Sequence, residues 1–393
     1  MEFQFQLGTL LLLIAAVVAM VTRRLRLPYS VGLVVAGIIF AALPFSPNIY
    51  LTKDLIFTAL LPPLLFEAAF HIPWNQMRRD FLVIVALATV GVALSASITA
   101  AGMHFLAHWE WISALVFGAL IAATDPVSVI ATFKEARAHG RLLVLIEAES
   151  LLNDGTAAVA FGVVVALAAG QQFTSIEISA MLLKSIIGGA FCGAVVALAL
   201  LLLAGRTEDH LVEITFTTVA AYGSFLLAEH FGLSGVLATI TAGLVIGNFK
   251  SLNAISERGR EAVEAFWEYA AFIANSLVFL LIGMHEAHQH FMAIWIPAGI
   301  AIVMVTLGRA LAIYPICFLF SGSPLRVSWK HQHILFWGGL RGALALALAL
   351  GLPLTVPLRE EIISICFAVV AFSVFVQGLT MAPFLRRMGE IPR

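Results

Sequence analysis

The 393-residue sequence predicts an all-α polytopic membrane protein with thirteen transmembrane helices, and three observations lead there. Hydrophobic residues make up 61% of the chain and charged residues 11%, against roughly 25% charged in soluble domains. The apolar runs are continuous rather than alternating, and in lipid such a backbone satisfies its own polar groups only as helix. The basic residues, finally, gather at alternate ends of the runs. A net charge of −1 gives no electrostatic footing for nucleic acid. Cys192, Cys317 and Cys366 stand singly in apolar stretches, which excludes a disulfide framework and any Cys/His metal spacing.

In chain order, hydropathy delimits spans at about 4–22 (H1), 29–44 (H2), 51–72 (H3), 81–106 (H4), 111–134 (H5), 141–169 (H6) and 179–204 (H7). The series continues at about 210–230 (H8), 233–249 (H9), 262–284 (H10), 292–320 (H11), 327–351 (H12) and 360–385 (H13). H1 is a span rather than a cleavable signal, because Arg23, Arg24 and Arg26 follow the apolar run instead of preceding it. H2 and H9 are short. Residues 251–265 read as a polar, partly helical connector into H10. Loops after odd-numbered spans, with the C-terminal tail, hold seventeen Lys and Arg, including Arg78, Arg79 and Arg141. Loops after even-numbered spans hold only Lys53, Lys184 and Arg359. That bias places the N-terminus outside and the C-terminus in the cytoplasm of a cell membrane.

Charges inside spans are costly and mark pairs, water-lined cavities or ion paths. Well inside spans are Glu67 in H3, Asp125 in H5, the group Glu147, Glu149 and Asp154 in H6, Arg309 in H11 and Arg341 in H12. From the span starts, Glu67, Asp125, Asp154, Arg309 and Arg341 lie roughly 20–25 Å along their helices, near mid-membrane from either face. On H6, Ser150 and Asp154 are i,i+4 and share a stripe with Glu147, while Glu149 and Asn153 share the adjacent stripe. H5 is interrupted at Asp125-Pro126, since proline supplies no N–H and forces the preceding residue out of helical geometry. H12 is interrupted by Gly338-Gly339-Leu340-Arg341-Gly342 at the corresponding depth. H12 runs opposite to H5, so H4–H6 match H11–H13 as inverted repeats. Paired interrupted spans of this kind point to the binding site of a secondary transporter.

The sequence resembles the monovalent cation:proton antiporter-1 family, of NhaP/NHE type. The resemblance rests on Leu64-Leu65-Phe66-Glu67, Ala122-Ala123-Thr124-Asp125-Pro126-Val127, Glu149-Ser150-Leu151-Leu152-Asn153-Asp154-Gly155, Gly308-Arg309 and Trp337-Gly338-Gly339-Leu340-Arg341-Gly342-Ala343, in order along nearly the whole chain. It implies a homodimer whose ion-carrying core, about 81–169 and 292–385, moves against a dimerisation part, about 1–72 and 179–284. It implies that H5 and H12 are unwound and cross, and that Asp154 is the essential carboxylate for cation and proton. Asn153, in the family's Asn-Asp pair, implies electroneutral exchange. The family's animal members carry a cytoplasmic regulatory tail; only about eight residues follow H13, which points to a prokaryotic source.

Asp154 can hold a proton or a cation but not both, which couples the two fluxes; the alternative is a structural Asp paired with an arginine. Asp125 adds a second oxygen, with Thr124 beside it, or caps the broken half-helix. Ser150 is a further ligand for Na+ unless its hydroxyl bonds the carbonyl one turn back. Asn153 clamps Thr124, or else ligates directly or only packs. Glu149 needs a cationic partner, either Arg309 or Arg341, and the arginine left over offsets the negative ends of the broken half-helices. Glu67 ligates through water or follows a plain kink at Pro62-Pro63, and Glu147 lines the entrance. Histidines at span ends (His71, His104, His108, His139, His285, His288, His290) read as solvated. Gly189-x-x-x-Gly193 and Gly243-x-x-x-Gly247 read as close-packing signatures.

The function expected is therefore antiport of Na+ (with Li+ or K+ as alternatives) against H+, with no cofactor beyond the transported ions and no enzymatic step. Two other classes compete. An intramembrane aspartyl protease would use Asp125 and Asp154, but its Tyr-Asp and Gly-x-Gly-Asp contexts are absent. A cation channel would pass ions without moving protons.

Overall fold

A computed structural model describes residues 2–25, 27–43, 52, 54–126, 129–130, 132–133, 140–204, 209–248, 257–287 and 291–391. Among the expectations above, Arg26, Lys53, Val127, Lys134, Arg137, His139, Arg206, Lys250, residues 251–256, His288, His290 and Arg393 lie outside these residues.

The described chain is helical almost throughout. The helices are α1 (Glu2–Leu25), α2 (Tyr29–Ala41), α3 (Leu55–His71), α4 (Trp74–Ala107), α5 (Trp111–Ile121), α6 (Arg141–Ala168) and α7 (Ser175–Ala204). They continue as α8 (His210–His230), α9 (Gly235–Asn248), α10 (Glu257–Glu286), α11 (Phe291–Leu319), α12 (Trp329–Trp337), α13 (Ala343–Leu350) and α14 (Arg359–Met388). H1–H11 thus correspond to α1–α11, H12 to the pair α12 and α13, and H13 to α14. Eight of these helices are long and apolar enough to cross a membrane: α1, α4, α6, α7, α8, α10, α11 and α14. Helices α2, α3, α5 and α9 are apolar but shorter.

Two boundaries correct the hydropathy reading. α4 begins at Trp74, so Arg78, Arg79 and Asp80 belong to the helix and not to a loop. Its first turns are amphipathic, and Asp80 is 6% exposed because Arg141 pairs with it through Nε (3.0 Å) and Nη2 (2.6 Å). Arg141 also donates to the carbonyls of Leu325 and Arg326, which ties α4, α6 and the α11–α12 loop together at one end of the core. Residues 257–265 of the polar connector are the opening turns of α10. The histidines differ from expectation too. His104 stacks on Trp111 and bonds the Trp109 carbonyl, and His285 stacks on Phe367, so these rings pack rather than sit in solvent.

Small residues set the helix spacing. Gly189 and Gly193 of α7 lie against the backbone of Ser234 and Ala238, and Gly243 and Gly247 of α9 against that of Phe66 and Phe70 in α3. Without a hydrophobic force between helices in lipid, such close backbone approach is what associates them. α4 and α11, the matching members of the two inverted triplets, pack along each other. They flank the two broken segments.

Candidate functional site

The two breaks meet. α5 ends at Ile121 where Pro126 withdraws a helical N–H, and α12 ends at Trp337 before the glycine run. The Asp125 N–H donates to the Leu340 carbonyl at 2.8 Å, an antiparallel bridge at the crossing. Helical backbone resumes in the fifth segment at Val129–Ile130 and in the twelfth at Ala343.

Broken helices leave charged ends in the interior, and two arginines answer them. Arg341 donates to the carbonyls of Ala122 (2.6 Å) and Ala123 (2.9 Å), at the C-terminal end of α5. Arg309 donates to the Leu335 carbonyl (3.0 Å) in the last turn of α12. At the opposite pole, the Asp125 carboxylate lies against Gly342 at the start of α13, where any Cβ would collide with it. Its negative charge thus meets the positive end of that half-helix.

Helix α6 contributes two layers. Glu149, 1% exposed, is held by Arg309 in a two-point pair, Nη1 to Oε1 at 2.7 Å and Nη2 to Oε2 at 2.9 Å. A carboxylate buried this deeply is tolerable only with such a partner. Asn153 accepts the Thr124 N–H at 3.0 Å, and its amide donates to Thr124 Oγ1 (2.5 Å) and Glu149 Oε1 (3.2 Å). Thr124 Oγ1 also bonds Ser150 Oγ at 2.9 Å. Ser150, Thr124, Asn153, Glu149 and Arg309 therefore form one hydrogen-bonded chain across α6, the α5 break and α11. Thr156 fastens α6 to α4 through the Ala88 carbonyl.

Beside this network opens a cavity of about 460 Å3. Asp154, Asp125, Thr124, Pro126, Glu147 and Glu67 all line it. Asp154, Asp125 and Glu67 are part-exposed, whereas Ser150, Asn153 and Glu149 are buried behind them. Ser150 shares a helical stripe with Asp154, yet its hydroxyl turns to Thr124 and it does not reach the cavity wall. Glu67 stands on α3 with His71 one turn on, whose Nδ1 is 3.4 Å from Oε1. The facing wall comes from Arg23, Tyr29, Glu268, Phe272 and Asn275. Arg23 and Tyr29 sit at helix ends and Phe272 and Asn275 in the middle of α10, where nothing in local sequence marks them. Glu268, a carboxylate within H10, carries the same kind of signal as Glu67, but only tertiary packing brings it to the other acids.

The profile described as "Sodium/hydrogen exchanger, transmembrane" matches residues 10–387. The chain is 37% identical over 368 residues to the Na(+)/H(+) antiporter ApNhaP of Aphanothece halophytica, covering 93% of this chain and 70% of that protein. It is 36% identical over 399 residues to the Na(+)/H(+) antiporter NhaG of Bacillus atrophaeus, covering 98% and 75%. Among solved structures, the sodium proton antiporter MjNhaP1 of Methanocaldococcus jannaschii superposes with a TM-score of 0.79 at 19% identity, over 100% of this chain and 99% of that one. That likeness establishes the fold.

Proposed function

This chain belongs to the sodium/hydrogen exchanger family, a family of transporters, and from that premise we propose that it exchanges Na+ for H+ across a membrane by alternating access. It is a multi-pass integral membrane protein. The observation that carries the mechanism is the opening of Asp154 and Asp125, from α6 and the α5 break, onto one cavity. Asp154 binds either the cation or a proton; Asp125, the Thr124 oxygens and Glu67 complete an oxygen cage suited to a hard monovalent ion. Ser150 and Asn153 act through Thr124, holding the extended backbone in place. Glu149 is committed to Arg309 and Asn153 carries no titratable proton, so one cation crosses against one proton. Li+ and K+ share the ligand chemistry and compete with Na+. No cofactor enters, because both ions are cargo.

Thirteen crossings put the N-terminus outside and the C-terminus in the cytoplasm. In that orientation the cavity is the cytoplasmic vestibule, since Arg23 in its wall is in the last turn of α1. On the far side of the crossing His285 of α10 stacks on Phe367 of α14, 4.1 Å between centroids, where the outward path would open. The core, about 81–169 and 292–385, carries the ion past a scaffold, about 1–72 and 179–284, through which two copies pair. Purified protein in sealed vesicles should alkalinise the lumen when Na+ is added outside, as Na+ enters and H+ leaves, and Asp154→Ala should abolish the response. Na+-dependent proton movement surviving in Asp154→Ala rules the mechanism out.

A further inference from the structure

Between α11, α14 and the break in the twelfth segment lies a second cavity of about 10 Å3, room for a single water molecule. Its polar lining is Arg309, Arg341, Thr306, Ser373 and Gln377. Arg309 is 8% exposed, and its Nε finds no hydrogen-bond acceptor among the described residues. A guanidinium N–H left this way in the interior is expensive, roughly 1–3 kcal/mol or more for a charged group. Its two Nη atoms are already engaged with Glu149 and Leu335. Nε is the one guanidinium nitrogen with no partner among the described residues, and Gly339 of this cavity's lining lies against it.

The far wall is built to answer it. Over Ser373–Gly378 helix α14 widens into a π-helical turn, a distortion often kept at functional positions. Ser373 and Gln377, 2% and 6% exposed, are i,i+4 within that turn, and Ser373 Oγ donates to Gln377 Oε1 at 2.9 Å. This leaves a Ser373 lone pair and the Gln377 amide N–H groups. Gly339 forms the floor, where a Cβ would stand 2.5 Å from Arg309 Nε.

We propose that Ser373 and Gln377 hold one ordered water against Arg309 Nε, and that through it they are positioning residues for the Arg309–Glu149 pair. The water accepts from Nε and from the Gln377 amide and donates to Ser373 Oγ, which gives it three partners, the usual number for a buried water. The guanidinium is then fixed on all its edges, by Glu149, by Leu335 and by the water. Glu149 in turn aligns Asn153, and Asn153 sets Thr124. The effect on transport rests on the exchange reading above; the water itself does not.

The test has two arms. An experimental structure of the full chain, at a resolution that shows ordered water, should carry one density peak within hydrogen-bond reach of Arg309 Nε and of Ser373 or Gln377. An empty site overturns the proposal, as does a bromide scattering signal there after halide exchange. In vesicles, Gln377→Leu should raise the apparent KM for Na+ about three- to tenfold while Vmax stays within about twofold. Gln377→Asn, which keeps the amide donor toward the water, should restore KM in part. Should Gln377→Leu not fold, Ser373→Ala takes its place, with a smaller rise in KM expected. An unchanged KM in a folded variant defeats the positioning role. No Na+-dependent proton movement by the parent protein would instead sink the exchange reading and leave the water as it stands.

Discussion

Asp154 stands 13 residues into α6, and Ser373 stands 14 residues into α14, its counterpart in the inverted half. Each has a polar partner one turn away, Ser150 before Asp154 and Gln377 after Ser373. Each lies beside a broken helix, at Asp125 in one half and Arg341 in the other. From there the halves diverge. The first places carboxylates on a cavity of about 460 Å3, the second places arginines on one of about 10 Å3. One break is made by a proline whose preceding residue is an acid, the other by glycines around a cation. On the proposed function, the same inverted architecture supplies an ion site once and its electrostatic support once. A second acidic site at the crossing would leave carboxylates and helix C-terminal ends uncompensated at one depth, whereas arginines neutralise the C-terminal ends of α5 and α12.

This division can be broken in graded ways. The largest effect is expected from Gly342→Ala, which drives a methyl into the Asp125 carboxylate. Displacing a ligand by about 1 Å should reduce Na+-dependent proton flux by about 100-fold, with assembly in the membrane intact. Arg309→Ala strikes the supporting half and leaves Glu149 buried and unpaired. A loss of about 3–5 kcal/mol of stability is expected, read as a lowered melting temperature in detergent. Melting unchanged from the parent would mean that the pair is not holding the core. Asn153→Ala frees Thr124 from its clamp and should cost about 1–3 kcal/mol of cation affinity, seen as a raised KM. The smallest effect belongs to the vestibule wall. Arg23→Ala removes an exposed charge, so KM should change by less than about twofold and the change should vanish at high salt.

Much of this was legible in the sequence, for definite reasons. Continuous apolar runs dictate helices, and Pro126 and the glycines at 338, 339 and 342 dictate the two breaks, because each acts on its own backbone. Charges at a common depth select Glu67, Asp125, Asp154, Arg309 and Arg341, and Glu149 is picked out as a further carboxylate in the span of Asp154, since lipid admits charge nowhere without cause. What stayed hidden depends on packing. The helical wheel puts Ser150 beside Asp154, but Thr124 claims its hydroxyl from another segment. Hydropathy averages over Arg78, Arg79 and Asp80 and so starts α4 late, although Arg141 makes Asp80 an interior residue. The π-helical turns at Leu55–Leu60, Leu87–Gly91 and Ser373–Gly378 have no composition of their own, and Ser373 and Gln377 look like ordinary small polar residues in an apolar run. Only the cavity behind Arg309 gives them a role.

The central claim is that cation and proton compete for one carboxylate in one half of the molecule. Proton release on Na+ binding tests it most directly, measured with a pH indicator on purified protein in weakly buffered detergent solution. About one proton should leave per cation bound, as linkage at a single shared group requires, and Asp154→Asn should release none. Full release from Asp154→Asn, or Na+ binding to the parent protein with no release at all, would contradict competition at Asp154.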